Sequence, residues 1–189
     1  MKRIFKKVIE FVNEEEGIEY CLKKDIDRGQ IRRYKLDEVI PFSSRLKGGN
    51  GAILSNMYAC NLLWNGMHFN SLEQLYYYFR FDGEPDVQAQ IMACKNAFDV
   101  KKLGKSLGGG KQSYEVLGWC MKLKYSQCEE FRKILEESGD KPLVEYAEWG
   151  DVKNGCCKFD NGGEDWLIGQ NACGRLMMKV RNEMRNGSL

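Results

Sequence analysis

The sequence predicts a compact α+β domain, predominantly helical, with a few short strands near the N-terminal half. Composition is the first reason: 43% apolar and 12% aromatic residues describe a packed globule and not a disordered chain. The second is apolar spacing of helical period in several windows, over 72–79, 113–137 and 171–184. The third is size, since 189 residues form a single domain that buries well over half of its unfolded surface.

Taken in order, residues 1–40 read as an N-terminal extension or cap segment, ahead of a main domain over 41–189. Ile18 to Cys21 and Ile31 to Leu36 can pair as strands around the turn-rich Asp25-Ile26-Asp27-Arg28-Gly29. A helix over residues 2–12 competes with that pairing. Lys47-Gly48-Gly49-Asn50-Gly51 reads as a loop, and Leu62 to Phe69 as a strand. Ser71 is a preferred helix N-cap, and Gln74 completes a capping box. Leu72, Leu75, Tyr76 and Phe79 then face a core. One helix follows over roughly 86–107 and another over 113–137, joined by Gly108-Gly109-Gly110-Lys111. The last helix starts near Asn171, burying Cys173, Leu176, Met177, Val180 and Met184 and exposing Arg175, Lys179, Arg181 and Arg185.

Charge and cysteine usage narrow the function classes. A net charge of +2 neither demands nor excludes a nucleic-acid partner. No uninterrupted apolar stretch reaches signal-peptide or membrane-spanning length, so the expectation is a soluble cytoplasmic protein with no membrane association. The eight cysteines contain no CxxC pair, and His68 is the single histidine. Neither a structural metal nor a disulfide framework is therefore expected, and no cofactor is called for. The adjacent Cys156-Cys157 pair leaves thiol chemistry as a minor alternative to burial. Gly108-Gly109-Gly110-Lys111 precedes Gln112, not Ser or Thr, and lacks phosphate-loop spacing.

Chemistry concentrates on the helix opened by Ser71. Glu73 falls in its first turn, where free N–H groups and the helix dipole favour negative charge. Tyr77 and Arg80 follow at spacings of four and three, so a carboxylate, a phenol and a guanidinium share one stripe. That stripe either lines a ligand pocket or is a solvated charged face.

The residues around this helix carry a resemblance. Leu54-Ser55-Asn56-Met57-Tyr58, the strand ending in Gly66, and Ser71-Leu72-Glu73 resemble the opening motif of the NADAR superfamily (the YbiA-like proteins). Lys124-Tyr125 with Leu143-Val144-Glu145 is similar to its middle block. Trp166, Gly169-Gln170-Asn171, Gly174-Arg175-Leu176-Met177 and Arg181 resemble its closing block. The resemblance covers roughly residues 40–185.

Members of that family are linked to cleavage of N-glycosidic bonds in nucleotide-like molecules. The resemblance thus implies an N-glycosidase acting on ADP-ribosylated guanine in nucleic acid or nucleotides, reversing modification by a toxin or defence enzyme. Phosphorylated ribosylamino-pyrimidine intermediates of riboflavin synthesis are the alternative substrate, and a non-catalytic ADP-ribose-binding module the alternative role. Glu73 and Asp151 are the catalytic candidates it implies. At Asp151 the match weakens, because Asn154 stands where the family has Trp before Gly155; Trp149 is nearby. Tyr77 stands where the family commonly has Gln, and Arg80 where it often has Lys.

Further candidates for substrate binding have structural alternatives. Asn56, with Ser55, orients a base or ribose, or simply holds its turn. Trp119 stacks on a base, or packs in the core. Lys124 contacts phosphate, or is a surface lysine. Asn171 presents backbone N–H and amide groups to a phosphate, or caps the last helix. The oligomeric state is not legible from sequence.

Overall fold

The computed structural model describes residues 8–46 and 49–187. Residues 2–7 of the proposed 2–12 helix, and Lys47-Gly48 of the first glycine loop, lie outside them. Two compact units emerge: Met1–Ser43 with Asp140–Lys179, and Ser44–Gly139 with Val180–Leu189.

The first unit is built on a four-stranded sheet in the order β1-β7-β8-β2. Its central hairpin pairs β7 (Cys156–Asn161) with β8 (Glu164–Gly169), and β1 (Glu10–Phe11) and β2 (Arg32–Lys35) form its edges. Residues 8–40 therefore complete a sheet whose centre comes from far along the chain. Ile18 to Cys21 is not a strand but part of helix α1 (Glu14–Lys23). Asn13 accepts from the Glu16 N–H at 3.0 Å, and Glu16 accepts from the Val12 N–H at 2.8 Å. That reciprocal cap selects helix over the extended alternative.

Helix α1 lies close on β8, where a Cβ at Gly17 would stand 2.7 Å from Ile168. Phe11, Cys21, Ile26 and Ile31 pack with Val152, Cys157, Phe159 and Ile168 into one core. A second small cluster, Val39, Val144, Cys156 and Leu167, lies beside the parallel pair β3 (Ile40–Phe42) and β6 (Leu143–Glu145). Helix α8 (Ala172–Arg185) runs from the first unit into the second.

The second unit opens with the short helix α2 (Asn50–Ile53) and the antiparallel hairpin of β4 (Ala59–Trp64) and β5 (Met67–Ser71). The strand expected over Leu62 to Phe69 is thus two strands. Asn65 and Gly66 have φ of 48° and 76°, the left-handed pair that closes a tight hairpin. Helix α3 (Leu72–Arg80) follows directly and packs against α4 (Pro85–Ala93), α5 (Ala97–Ser106) and α6 (Tyr114–Gln127). Ser71 caps α3 as expected, but Gln74 accepts from the Asn70 N–H at 2.7 Å and donates to the Ile91 carbonyl at 3.0 Å, tying α4 to the helix start.

Both long helices expected downstream are broken in two. Asn96 caps α5 through the Asp99 N–H at 3.0 Å, ending the 86–107 helix idea at Cys94 to Asn96. Cys128 is extended, with φ −109° and ψ 101°, between α6 and α7 (Glu129–Glu137). On α8, Arg181 was expected to be exposed but is 3% exposed and donates to Ser138 Oγ at 2.9 Å. Arg185 caps α7 by donating to the carbonyls of Leu135, Glu136 and Gly139.

Candidate active site

In the second unit the Ser55-Asn56 turn and the start of α3 are joined by a backbone bond: the Glu73 N–H donates to the Asn56 carbonyl at 2.9 Å. One of the four N–H groups left open at a helix start is thereby satisfied by the turn. Ser55 is buried, and its hydroxyl accepts from the Met57 N–H at 3.2 Å. Asn56 is half-buried beside it.

The turn rests on Lys124. This lysine is 0% exposed, and its ammonium donates to the carbonyls of Ile53 and Ser55, each at 2.9 Å. It also lies 4.4 Å from the Phe131 ring centroid. The alternative of a surface lysine at Lys124 gives way to a buried prop. Its aromatic and carbonyl surroundings replace the water that a charged amine would otherwise keep.

The stripe on α3 is not a solvated face. Glu73, Tyr77 and Arg80 are 7%, 4% and 9% exposed. Glu73 Oε1 lies 3.7 Å from the Lys101 ammonium on α5, whose half-exposed side chain extends to solvent. Tyr77 packs against α5 where Gly104 leaves room: a Cβ there would overlap the phenol ring. Burial raises the Tyr77 pKa first and the Glu73 charge adds to it, while Arg80 and Lys101 oppose both. The four side chains thus form one electrostatic cluster. Arg80 lies with its guanidinium carbon 4.5 Å from the Tyr77 ring centroid and 5.5 Å from that of Tyr76.

Asp151 belongs to the first unit. It is exposed, and both carboxylate oxygens are engaged by Asn154, through its N–H at 3.1 Å and its amide at 3.0 Å. The residue that replaces the family Trp therefore holds the carboxylate locally. Trp149 is 39% exposed on the same loop. That loop is held by the N-terminal segment, with the Ile9 N–H donating to the Glu148 carbonyl at 2.8 Å.

Asn171 is fully buried, with φ of 52°. Its amide accepts from the Glu145 N–H at 3.1 Å and donates to the Leu143 carbonyl at 2.9 Å, and to Tyr34 Oη at 3.3 Å. Its side chain joins β6 and Tyr34 of β2 to the start of α8. Trp119 is not core. With Trp64, Phe79, Glu115 and Val116 it lines an open cavity of ≈ 380 Å³. None of Glu73, Tyr77 and Arg80 lines that cavity. Its walls are mostly apolar, with Glu115 as the charged member.

Three buried thiols are poor nucleophiles. Burial pushes Cys21 up to about 11 and Cys157 up to about 12, and raises Cys156 well above its ordinary value. Among the described residues no three His, Cys, Asp or Glu side chains group as metal donors, and no helix is long and apolar enough to cross a membrane.

Sequence reasoning missed Lys101 and Gly104. Lys101 is one of three lysines on α5, and nothing local distinguishes it from Lys102 or Lys105. Gly104 carried a faint signal, a glycine inside a helix, where it is unfavourable unless another group must approach closely.

The fold and this cluster can be set beside known proteins. The E. coli protein YbiA, whose structure was determined by NMR, superposes with a TM-score of 0.61 at 18% identity, over 79% of this chain and 88% of that one. That likeness carries the fold. No curated protein sequence matches. The family model of the NADAR domain matches residues 45–185, spanning the α3 stripe, Lys124, Asp151 and Asn171. The chain belongs to the NADAR domain family.

Proposed function

We propose that this protein is a metal-independent N-glycosidase that hydrolyses the bond between ribose and guanine in an ADP-ribosylated guanine nucleotide or nucleic acid. The observation that carries the reading is Glu73: a carboxylate 7% exposed at a helix start, close to one lysine, beside a phenol and a guanidinium. Family membership supports it.

Cleavage of an N-glycosidic bond leaves positive charge on the sugar. A carboxylate in a dry, fixed position stabilises that charge more than it stabilises the neutral ground state. Lys101 keeps Glu73 company in the resting site, and the ribose cation takes over the attraction as the bond lengthens. Water then adds hydroxyl to the anomeric carbon, and its remaining proton goes to the departing base nitrogen. Ser55 and Asn56, joined to Glu73 by backbone, form the wall against which ribose or base is oriented.

A second reading rests on Asp151. Both of its oxygens are held by Asn154, which leaves the water-activating role without a free carboxylate there. A binding module for ADP-ribose needs no such base. Turnover decides between them: a short DNA strand carrying ADP-ribosylated guanine is incubated with EDTA present and followed by mass spectrometry. Release of ADP-ribose and unmodified DNA by wild type, and not by Glu73→Gln, supports the glycosidase. Tight ADP-ribose binding without release supports the module. Turnover of ribosylamino-pyrimidine phosphates alone moves the assignment to the small-metabolite reaction.

A further inference from the structure

Arg80 is unusual for a buried cation. It is 9% exposed, its Nε is buried without a hydrogen-bond partner, and no carboxylate among the described residues lies within ion-pair distance of it. The faces of Tyr77 and Tyr76 accompany the charge, and a side-chain hydrogen bond joins it to the Tyr77 phenol. Ring faces attract a guanidinium without accepting its in-plane N–H groups, and one neutral phenol leaves Nε unmet. A desolvated guanidinium in this condition lacks the oxyanion that usually completes it.

The second observation is what covers it. The loop Gly108-Gly109-Gly110-Lys111 lies over the end of α3, with the Lys111 N–H donating to the Arg80 carbonyl at 2.8 Å. A Cβ at Gly109 would stand 3.1 Å from Arg80 Nη2, and one at Gly110 would stand 2.6 Å from the Arg80 carbonyl oxygen. The three glycines have φ of 80°, 84° and 64°, a run of left-handed backbone that side chains resist. Glycine thus keeps side-chain bulk away from the guanidinium. Lys101, on the neighbouring helix, also acts on Tyr77, so the local field is positive with Glu73 as its acidic member.

We propose that Arg80 and the Gly108–Lys111 loop form a subsite for a phosphate group of the substrate, the guanidinium donating to phosphoryl oxygens. The inference rests on the glycosidase reading, in which Glu73 faces the ribose and the phosphate lies further along α3. An ADP-ribosyl conjugate would bring a diphosphate and a ribosylamino-pyrimidine phosphate a single phosphate; the shared chemistry is the oxyanion. Planar guanidinium matches it with paired donors, which the ammonium common at this position in the family does not.

The test is calorimetric titration of the full chain with inorganic diphosphate and, separately, inorganic phosphate in low chloride. Wild type binds diphosphate, Arg80→Met binds it at least about tenfold more weakly, and Arg80→Lys falls between them. Stronger binding of diphosphate than of phosphate favours the ADP-ribosyl source, and parity favours the monophosphate. Thermal unfolding without added anion separates a binding role from a structural one. Arg80→Met then melts at or above the wild-type temperature, because a buried charge without a carboxylate partner has been removed. Equal diphosphate binding by wild type and Arg80→Met overturns the proposal, as does a large drop in melting temperature. Should Arg80→Met not fold, Arg80→Lys binding diphosphate as tightly as wild type overturns it equally. Glu73→Gln keeps diphosphate binding. A protein that binds diphosphate through Arg80 yet turns over nothing loses the glycosidase reading and keeps the subsite. One that turns over substrate with an unchanged KM in Arg80→Met loses the subsite alone.

Discussion

The Glu73 N–H and the Asn56 carbonyl share a hydrogen bond of 2.9 Å, so the turn and the helix start that carry the proposed site are one rigid piece. Lys124 holds that piece from below through the Ser55 carbonyl, and Lys101 meets Glu73 from α5. Position at this site is therefore set by backbone as much as by side chains.

Glu73→Gln keeps the shape of the side chain and its backbone bond while removing the charge. Folding is expected to be retained, and turnover of the ADP-ribosyl-guanine substrate to drop at least about 100-fold, the usual size of a lost electrostatic contact to a transition state. Circular dichroism checks the fold and single-turnover kinetics the rate. A folded variant with wild-type turnover would remove Glu73 from the mechanism.

Lys124→Ala acts on stability first. It leaves the Ile53 and Ser55 carbonyls without their buried donor and opens space beside Phe131. A loss of about 3 kcal/mol is expected in urea unfolding. A lysine that only touched substrate phosphate would instead raise KM and leave the unfolding midpoint in place.

Gly104→Ala drives a methyl group into the Tyr77 ring. Overpacking of this kind costs about 1–3 kcal/mol. Tyr77→Ala in the same chain makes room for the methyl, so a double-mutant cycle in urea is expected to show strong favourable coupling. Additive effects would mean that α5 and Tyr77 do not share this contact in solution.

Residues 1–40 were expected to be an extension or cap segment ahead of a domain over 41–189. Phe11, Cys21, Ile26 and Ile31 supply half of the core built on Phe159 and Ile168, and β1 and β2 close both edges of the sheet. We therefore predict that a chain beginning at residue 41 loses the first unit's cooperative unfolding and exposes that core to hydrophobic dye. Normal unfolding of the shortened chain would instead make residues 1–40 an extension.

Cys21 and Cys157 make stability depend on alkaline pH. Their folded values, about 11 and about 12, lie above the ordinary 9.0, because burial disfavours the thiolate. The contribution is fully present below pH 9, where both states keep the proton. It declines above pH 9, as the unfolded chain releases protons that the folded one retains, and is gone once the pH passes the folded values. Urea midpoints from pH 8 to 11 should fall, and Cys157→Ala should flatten that fall. A slope identical to wild type would place the titration elsewhere.

Local signals in the chain settled a good part of the architecture. The Ser71 cap, the apolar period of α3, the start of α8 after Asn171 and the β2 segment were all readable, because capping and periodicity are properties of neighbouring residues. The Asn65-Gly66 turn, the Asn13 and Asn96 caps and the break at Cys128 were equally local; apolar continuity across them masked the boundaries. The placement of Glu73 with Tyr77 and Arg80 on one stripe was likewise fixed by spacing along one helix.

Only tertiary structure decided what that stripe faces. Spacing fixes which residues share a face, but burial depends on what packs there, and α5 brings Lys101 and Gly104 from a distance no local pattern records. The same holds for Lys124, whose surroundings turn a surface-like lysine into an internal prop. It holds too for residues 8–40, whose strands find partners more than a hundred residues away. Hydrogen-bond partners and desolvation are set by chain segments remote in sequence, and these determine what each charged side chain does.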